Sequence, residues 1–295
     1  MTKITKALIP AAGFGTRFLP QTKAMPKEML PLVDKPVIQY VVEEAVASGI
    51  ETVIIVTGAN KRAIEDHFDE PSEDLVQTLI NGNKTAALEQ INKISSMADF
   101  VYVRQKGPYG NGIPVLAGEP IIENEPFAVL WGDEFILSEP PRLKQMMEVY
   151  EKYGGIVISG VRLPRSELKS YGIADIEPVE GNLFRIKQIV EKPEPGEEPS
   201  DLATHGAYIL PPEIFDALKR IKPGKSGEIW LVDAINLLKE EGVPIFALEI
   251  PNGKYYDTGN KLAYLKSVVD LASKHPEVGQ EFEAYLRDLV KDLKD

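Results

Sequence analysis

The chain has 295 residues, 43% hydrophobic, 26% charged and 8% aromatic, the profile of a globular protein with one large domain or two small ones. It contains no cysteine, which excludes disulfides, zinc–thiolate sites and cysteine nucleophiles. With 33 Lys and Arg against 45 Asp and Glu, the formal charge is −12, and such a surface repels nucleic acid and anionic membrane. An anionic substrate therefore needs a local cluster of cations, backbone N–H groups or bound metal.

The run from Met1 to Lys6 leads into a short apolar stretch broken by Pro10 and Gly13. That pattern fits neither a secretory signal nor a membrane span, so a cytoplasmic protein is expected. The first strand, Ala7–Pro10, runs into Ala11-Ala12-Gly13-Phe14-Gly15-Thr16-Arg17. Glycines after a strand let the backbone approach a ligand and turn its N–H groups toward phosphate or a base. The third position of a dinucleotide fingerprint holds Phe18, and no Gly-Lys-Ser/Thr follows, so both common nucleotide fingerprints are absent. By itself the loop reads either as a nucleotide seat or as a tight strand-to-helix turn. Arg17, Lys23 and Lys27 follow at once in an otherwise acidic chain, and prolines at 20, 26, 31 and 36 are expected to hold the segment extended. Cations fixed beside a glycine loop are better explained as a triphosphate clamp than as solvated charge.

Further along, Val37–Ser48 reads as a helix between Pro36 and Gly49. Strands are expected at Thr52–Thr57, Phe100–Arg104, Phe127–Trp131, Ile156–Val161, Gly206–Leu210 and Ile245–Glu249. They are continuously apolar, which suits strands buried on both faces of a largely parallel sheet. Asp133 follows one of them, at the carboxyl end where open α/β sheets bind ligands. Between Arg142 and Lys152, Leu143, Met146, Met147 and Tyr150 fall on one helical face. Ile173–Ile176 and Leu183–Val190 flank the turn signal Val179-Glu180-Gly181-Asn182 and read as a hairpin inserted beside the sheet.

The hairpin ends in Glu191-Lys192-Pro193, which as bare sequence is an exposed ion pair before the acidic loop 194–201. Asp257 precedes Gly259 and Asn260, so a helix-capping turn before Lys261 competes with a ligand role. From Lys261 onward the chain is helical. Phe282, Tyr285, Leu286, Leu289, Val290 and Leu293 form one stripe there, expected to pack on the chain's own core, with subunit contact as the second reading. His67, His205 and His275 are scattered and make no metal box. Alternation of strands and helices makes this an α/β chain, a mixed and mostly parallel sheet flanked by helices. Residues 1–260 form the α/β domain, with an insertion at about 162–205, and 261–295 a helical segment.

The run from Ala11 through Lys27-Glu28-Met29-Leu30-Pro31-Leu32-Val33-Asp34-Lys35-Pro36 resembles bacterial UTP–glucose-1-phosphate uridylyltransferases, and the likeness covers essentially the whole chain. Val103-Arg104-Gln105, Gly132-Asp133, Tyr171-Gly172, Val190-Glu191-Lys192-Pro193, Gly227-Glu228-Ile229 and Tyr256-Asp257-Thr258-Gly259-Asn260 carry it in the same order. The resemblance implies the Rossmann-like fold of nucleotide-diphospho-sugar transferases, with the insertion binding sugar. It also implies that the loop at Ala11, Ala12 and Gly13, with Gln105, reads the uracil edge, and that Gly15, Thr16 and Gly110 bind the nucleotide with them. Arg17 and Lys27 would hold the triphosphate, Asp133 and Asp257 a Mg²⁺ ion, and Lys192 the sugar phosphate. Glu191 would take the glucose hydroxyls, with Gly172 and Gly206 admitting the sugar.

The implied substrates are UTP and glucose 1-phosphate, and the implied assembly is a homo-dimer or homo-tetramer. Ile113 and Pro114 stand where this family usually has His and Ala, and Trp230 and Val232 where Gln and Thr are more usual. Uracil and thymine share the edge that Gln105 would read, so a thymidylyltransferase is the alternative within the enzyme class. A catalytically silent sugar-nucleotide-binding regulator is the alternative outside it.

Overall fold

Strand β1 (Lys6–Pro10) lies inside a nine-stranded sheet, with Ala7, Leu8 and Ile9 fully buried. The computed structural model describes residues 3–107, 109–224 and 227–292. After β1 come three single-turn 3-10 helices, Thr16–Phe18, Gln21–Lys23 and Lys27–Met29, then the short strands β2 (Pro31–Leu32) and β3 (Lys35–Pro36). This segment is not extended as its prolines suggest. A proline φ is equally at home in a 3-10 turn, and Pro20 adopts φ −84°, ψ −9° at the head of one.

Helix α1 (Val37–Ala47) begins directly after Pro36 and ends before Gly49, whose φ is 97°. Next follow β4 (Thr52–Thr57), α2 (Arg62–Phe68), α3 (Glu73–Asn81), α4 (Thr85–Ser95) and β5 (Asp99–Arg104). The middle of the chain holds α5 (Gly112–Ala117), α6 (Glu119–Ile122), β6 (Phe127–Leu130), β7 (Glu134–Leu137), α7 (Arg142–Tyr153), β8 (Ile156–Arg162) and α8 (Arg165–Leu168). Then come β9 (Gly172–Glu180), β10 (Leu183–Glu191), β11 (Leu202–Leu210), α9 (Glu213–Arg220) and α10 (Leu231–Glu240). The chain closes with β12 (Ile245–Glu249), β13 (Lys254–Asp257), α11 (Lys261–Ser273) and α12 (Gly279–Asp292).

The sheet order is β5-β4-β1-β6-β11-β8-β12-β10-β9. The first four strands are parallel, β11 runs against both neighbours, and β10 runs against β12 and β9. The hairpin expected beside the sheet is the far end of it. β9 also turns back to pair with β11 through Ile173–Ala203 and Gly172–Thr204, so this end curls closed. Alternate residues of each strand enter opposite cores. Ile9 and Ile55 join Val41 and Leu143 on one face, while Leu8 and Ile54 join Val115 and Phe215 on the other. Burying one such side chain contributes roughly 1.5–3 kcal/mol.

The C-terminal stripe departs from the expected packing. Helix α12 lies on α11, and Tyr285, Leu289 and Val290 remain 58%, 37% and 48% exposed. Phe282 and Leu286 of the stripe are half-buried, while Leu262, Leu265 and Val269 of α11 are exposed as well and are not covered by α12. Leu293 lies outside the described residues. Among the described residues no helix is long and apolar enough to cross a membrane.

Candidate functional site

The carboxyl ends of β1, β4, β5 and β6 open onto a cleft of about 410 Å³, lined among others by Ala12, Gly13, Lys27, Gln105, Gly110 and Asp133. Parallel strands leave their last carbonyls and the following loops at this edge, which is why the glycine loop, Gln105 and Asp133 meet there. Ala11, Gly15 and Thr16 stand behind the lining. The N–H of Ala11 donates to the Val56 carbonyl at 2.8 Å, so that amide continues the sheet. Gly15 has φ 63°, and its carbonyl accepts from the Thr22 hydroxyl at 2.7 Å, which folds the loop back over Lys27.

Lys27 Nζ lies 2.5 Å from Asp133 Oδ2. Burial works against the charge on Lys27, but Asp133, Glu28 and Glu134 outweigh it and hold its pKa above the ordinary lysine value. Asp133 is tied to the second carboxylate strand, because its carbonyl accepts from the Thr258 N–H at 3.1 Å and the Thr258 hydroxyl at 2.6 Å. Strands β7 and β13 pair antiparallel with Glu134 opposite Asp257, which sets the two aspartates side by side. A Cβ on Gly259 would sit 3.0 Å from Asp257 Oδ1, 3.6 Å from Asp133 Oδ2 and 3.7 Å from Arg17 Nη1, so three of the implied groups converge on one point.

Arg17 Nη1 also donates to the Gly259 carbonyl at 3.2 Å. Asp257 accepts from the Gly259 N–H at 2.6 Å and from Asn260 at 3.1 Å, while the cap of α11 is Asn260 itself. Burial and the neighbouring charges of Glu134 and Asp133 push the Asp257 carboxyl up. No group of three or more His, Cys, Asp or Glu that could hold a metal occurs among the described residues. Two carboxylates beside phosphate oxygens are nonetheless a common donor set for a hard cation that keeps several waters.

Of the residues expected on the sugar side, Gly172 and Glu191 lie on the curled end of the sheet and Gly206 on β11 beside β6. Glu191 pairs with Gly172 across β10 and β9. A Cβ on Gly172 would lie 2.8 Å from Thr204 Oγ1 and 3.0 Å from Glu191 Oε2. Gly206 has φ 62°, and a Cβ there would meet Arg142 Nη1 at 2.5 Å. At Gly206 the positive φ and the buried Arg142 both disfavour a side chain, whereas at Gly172 the ends of Thr204 and Glu191 would have to shift. Gly206 accepts from the Trp131 N–H at 3.0 Å, which brings it next to Gly132 and Asp133. Tyr171, between α8 and β9, faces the Asp257 carboxylate and joins this end to the aspartate pair. Burial raises Glu191 above the ordinary carboxylate range, with Lys192 offsetting part of the effect.

Of the basic segment, Lys27 reaches the cleft, whereas Lys23 is exposed away from its lining. Pro114 borders the cleft, and Ile113 is buried behind it. A larger groove, about 980 Å³, lies between α8 and α11 and is lined by Tyr171 and Asp257, which do not line the smaller cleft, whereas Gly13, Lys27 and Asp133 line only the smaller one.

Sequence reasoning missed two buried pairs. Lys61 Nζ lies 2.7 Å from Glu28 Oε2 under the cleft, with both side chains at most 5% exposed. Burial pushes Glu28 up and Lys61 down, and each partly restores the other. The only signal in the sequence was a lysine in the loop just after a buried strand. His205 Nδ1 lies 2.9 Å from Glu134 Oε2, which also accepts from the Tyr255 hydroxyl at 2.6 Å. Burial would raise Glu134, but His205, Tyr255 and Arg142 outweigh it and hold the carboxyl at about 2. No spacing in the sequence connects these residues.

Known proteins resemble this chain over nearly its whole length. A UTP–glucose-1-phosphate uridylyltransferase of Staphylococcus epidermidis is 47% identical over 289 residues, covering 98% of this chain and 99% of that protein. A UDP-glucose pyrophosphorylase solved as a complex with UDP-glucose superposes with a TM-score of 0.85 at 43% identity, over 92% of this chain and 100% of that one. A UTP-bound enzyme of the same name from Acinetobacter baumannii gives 0.89 at 37% identity, over 97% and 100%. The family model described as nucleotidyl transferase matches residues 6–274. This chain belongs to the nucleotidyl transferase family.

Proposed function

We propose that the cleft joins UTP and α-D-glucose 1-phosphate to give UDP-glucose and pyrophosphate. The observation that carries this reading is the convergence of Asp133, Asp257 and Arg17 on Gly259, with Lys27 on Asp133, beside a glycine loop and Gln105. Relatives of this chain that carry the same activity in their names, at 47% identity over nearly full length, support it.

A phosphate oxygen of the sugar forms the new bond to the α-phosphorus of UTP, and the bond from that phosphorus to the β-phosphate bridging oxygen breaks. The electron pair leaves with pyrophosphate. The nucleophile is already an anion, so no general base is needed. Ala12 and Gly13 with Gln105 and Gly110 seat the uracil, with Ala11, Gly15 and Thr16 holding the loop's course. Arg17 and Lys27 stabilise charge on the departing pyrophosphate, and Lys192 offsets repulsion between two anionic substrates. Residues 162–205 carry the sugar side, where Glu191 accepts from hydroxyls of glucose beside Gly172 and Gly206. Asp133 and Asp257 would hold a Mg²⁺ ion, which when bound neutralises phosphate charge.

We place the reaction in the cytoplasm, where UTP is available, and in a homo-dimer or homo-tetramer. Support for the assembly is the exposed stripe Tyr285, Leu289 and Val290 on α12. The test of the activity is pyrophosphate release from UTP, dTTP, ATP and GTP against several sugar 1-phosphates. UTP with glucose 1-phosphate is expected to be fastest. Equal or faster release with dTTP overturns the choice of base, and UDP-glucose binding without turnover overturns the enzyme reading.

A further inference from the structure

We infer that Trp230 is a positioning residue for Lys192, holding its ammonium where the sugar phosphate arrives; this rests on the reading that Lys192 meets that phosphate. Lys192 Nζ stands 4.4 Å from the centre of the Trp230 ring. Its other charged neighbour, Glu191 Oε1, is 3.7 Å away, beyond hydrogen-bond distance. The Lys192 side chain is 50% exposed and is held between the indole face and this longer ion pair.

The backbone aims the side chain at that ring. Lys192 has φ 47°, in the left-handed region that lysine seldom enters, and its N–H donates to the Tyr171 carbonyl at 3.0 Å. The main chain of Trp230 is fixed in turn. Trp230 is the residue before α10, and the N–H of Asp233 donates to its carbonyl at 3.2 Å. Gly224 leaves room beside it, since a Cβ there would sit 3.2 Å from Trp230 Cδ1. An indole face attracts an ammonium without neutralising it. A second carboxylate in place of the ring would compete further with the incoming phosphate, whereas the ring adds no negative charge beyond that of Glu191. Trp230 therefore orders the cation before the substrate binds, a cost the sugar phosphate would otherwise meet on binding.

The test is steady-state kinetics on Trp230→Gln, Trp230→Phe and Lys192→Met, with thermal unfolding of each. Trp230→Gln is expected to raise the KM for glucose 1-phosphate about 2- to 10-fold and leave the KM for UTP within 2-fold. Trp230→Phe restores most of the loss, because a phenyl face still attracts the cation. If Lys192→Met is as active as the native chain, the role of Lys192 falls and this inference with it. If Lys192→Met is impaired while Trp230→Gln leaves the glucose 1-phosphate KM unchanged, only the inference about Trp230 is overturned. A rise in both KM values that Trp230→Phe does not rescue also overturns it. Should Trp230→Gln fail to fold, Trp230→Leu against Trp230→Phe gives the same comparison.

Discussion

Lys27 Nζ and Asp133 Oδ2 stand 2.5 Å apart at the mouth of the cleft, with side chains 24% and 23% exposed. Three carboxylates hold Lys27 above its ordinary pKa against the effect of burial, so it stays charged at any working pH. A lysine so placed neutralises Asp133 until a triphosphate offers more negative charge. Lys27→Met is expected to lower kcat/KM by about 100- to 1000-fold, the loss typical of one charge-stabilising donor. The same change frees Asp133, so Mn²⁺ binding without nucleotide, read by titration calorimetry, tightens. Weaker metal binding in Lys27→Met would show that the lysine supports the carboxylate rather than competing for it.

Arg142 and Glu44, unlike Lys27 and Asp133, make a tight pair far from solvent. Nε and Nη2 of Arg142 each donate to a different Glu44 oxygen at 2.9 Å, and the Leu143 N–H adds a bond of 3.2 Å. Glu44→Gln leaves a buried guanidinium without its counter-charge and is expected to cost about 3–5 kcal/mol in urea unfolding. Replacing both partners, as Glu44→Leu with Arg142→Met, is expected to cost much less than the two single changes together. Additive losses would mean the pair contributes through shape alone.

Gly110 makes a different kind of demand. It has φ 124°, and a Cβ there would fall 2.2 Å from the Ile229 carbonyl oxygen. Ile229 is already bonded to this loop, donating to the Tyr109 carbonyl at 3.0 Å while its own carbonyl accepts from the Gly112 N–H at 2.9 Å. Gly110→Ala must therefore push two backbones apart at the cleft wall. The expected result is a KM for UTP raised at least several-fold, with a lowered melting temperature. Normal UTP kinetics in a folded Gly110→Ala would place the base elsewhere.

The strands β1, β4 and β12 were readable because burial on both faces leaves an unbroken apolar run. β10 was readable over nearly its whole length, but β9 only through Ile176, because the following residues 177–180 have exposed side chains and carry no apolar run. The family resemblance named Lys27, Asp133 and Asp257 and implied one shared site for them, but no local pattern in the sequence brings them together. Lys27 and Asp133 lie 106 residues apart and are joined by the sheet edge, not by any local period. The same distance in sequence hid Glu28 with Lys61 and Glu134 with His205, 33 and 71 residues apart. The α12 stripe misled in the other direction, since amphipathic spacing reports that a face is apolar and not what covers it.

Asp270 sets an acid limit on the C-terminal segment. Lys254 and the Tyr256 hydroxyl from β13 bond to it, and Lys274 does so at 3.0 Å one turn further along α11. Burial would raise its carboxyl, but these three donors outweigh it and hold the pKa at about 2, below the ordinary 3.8. Folding thus favours the ionised form. The stabilisation is complete above pH 3.8 and is lost as pH falls toward 2. With screening by water at a partly exposed site, Asp270→Asn should cost about 1–2 kcal/mol at pH 6. The gap between native chain and variant, measured by urea unfolding, should shrink steadily below pH 3.8 and vanish near pH 2. A gap that stays constant from pH 6 to 2 would assign the loss to packing, and Asp270 would then have no part in the acid response.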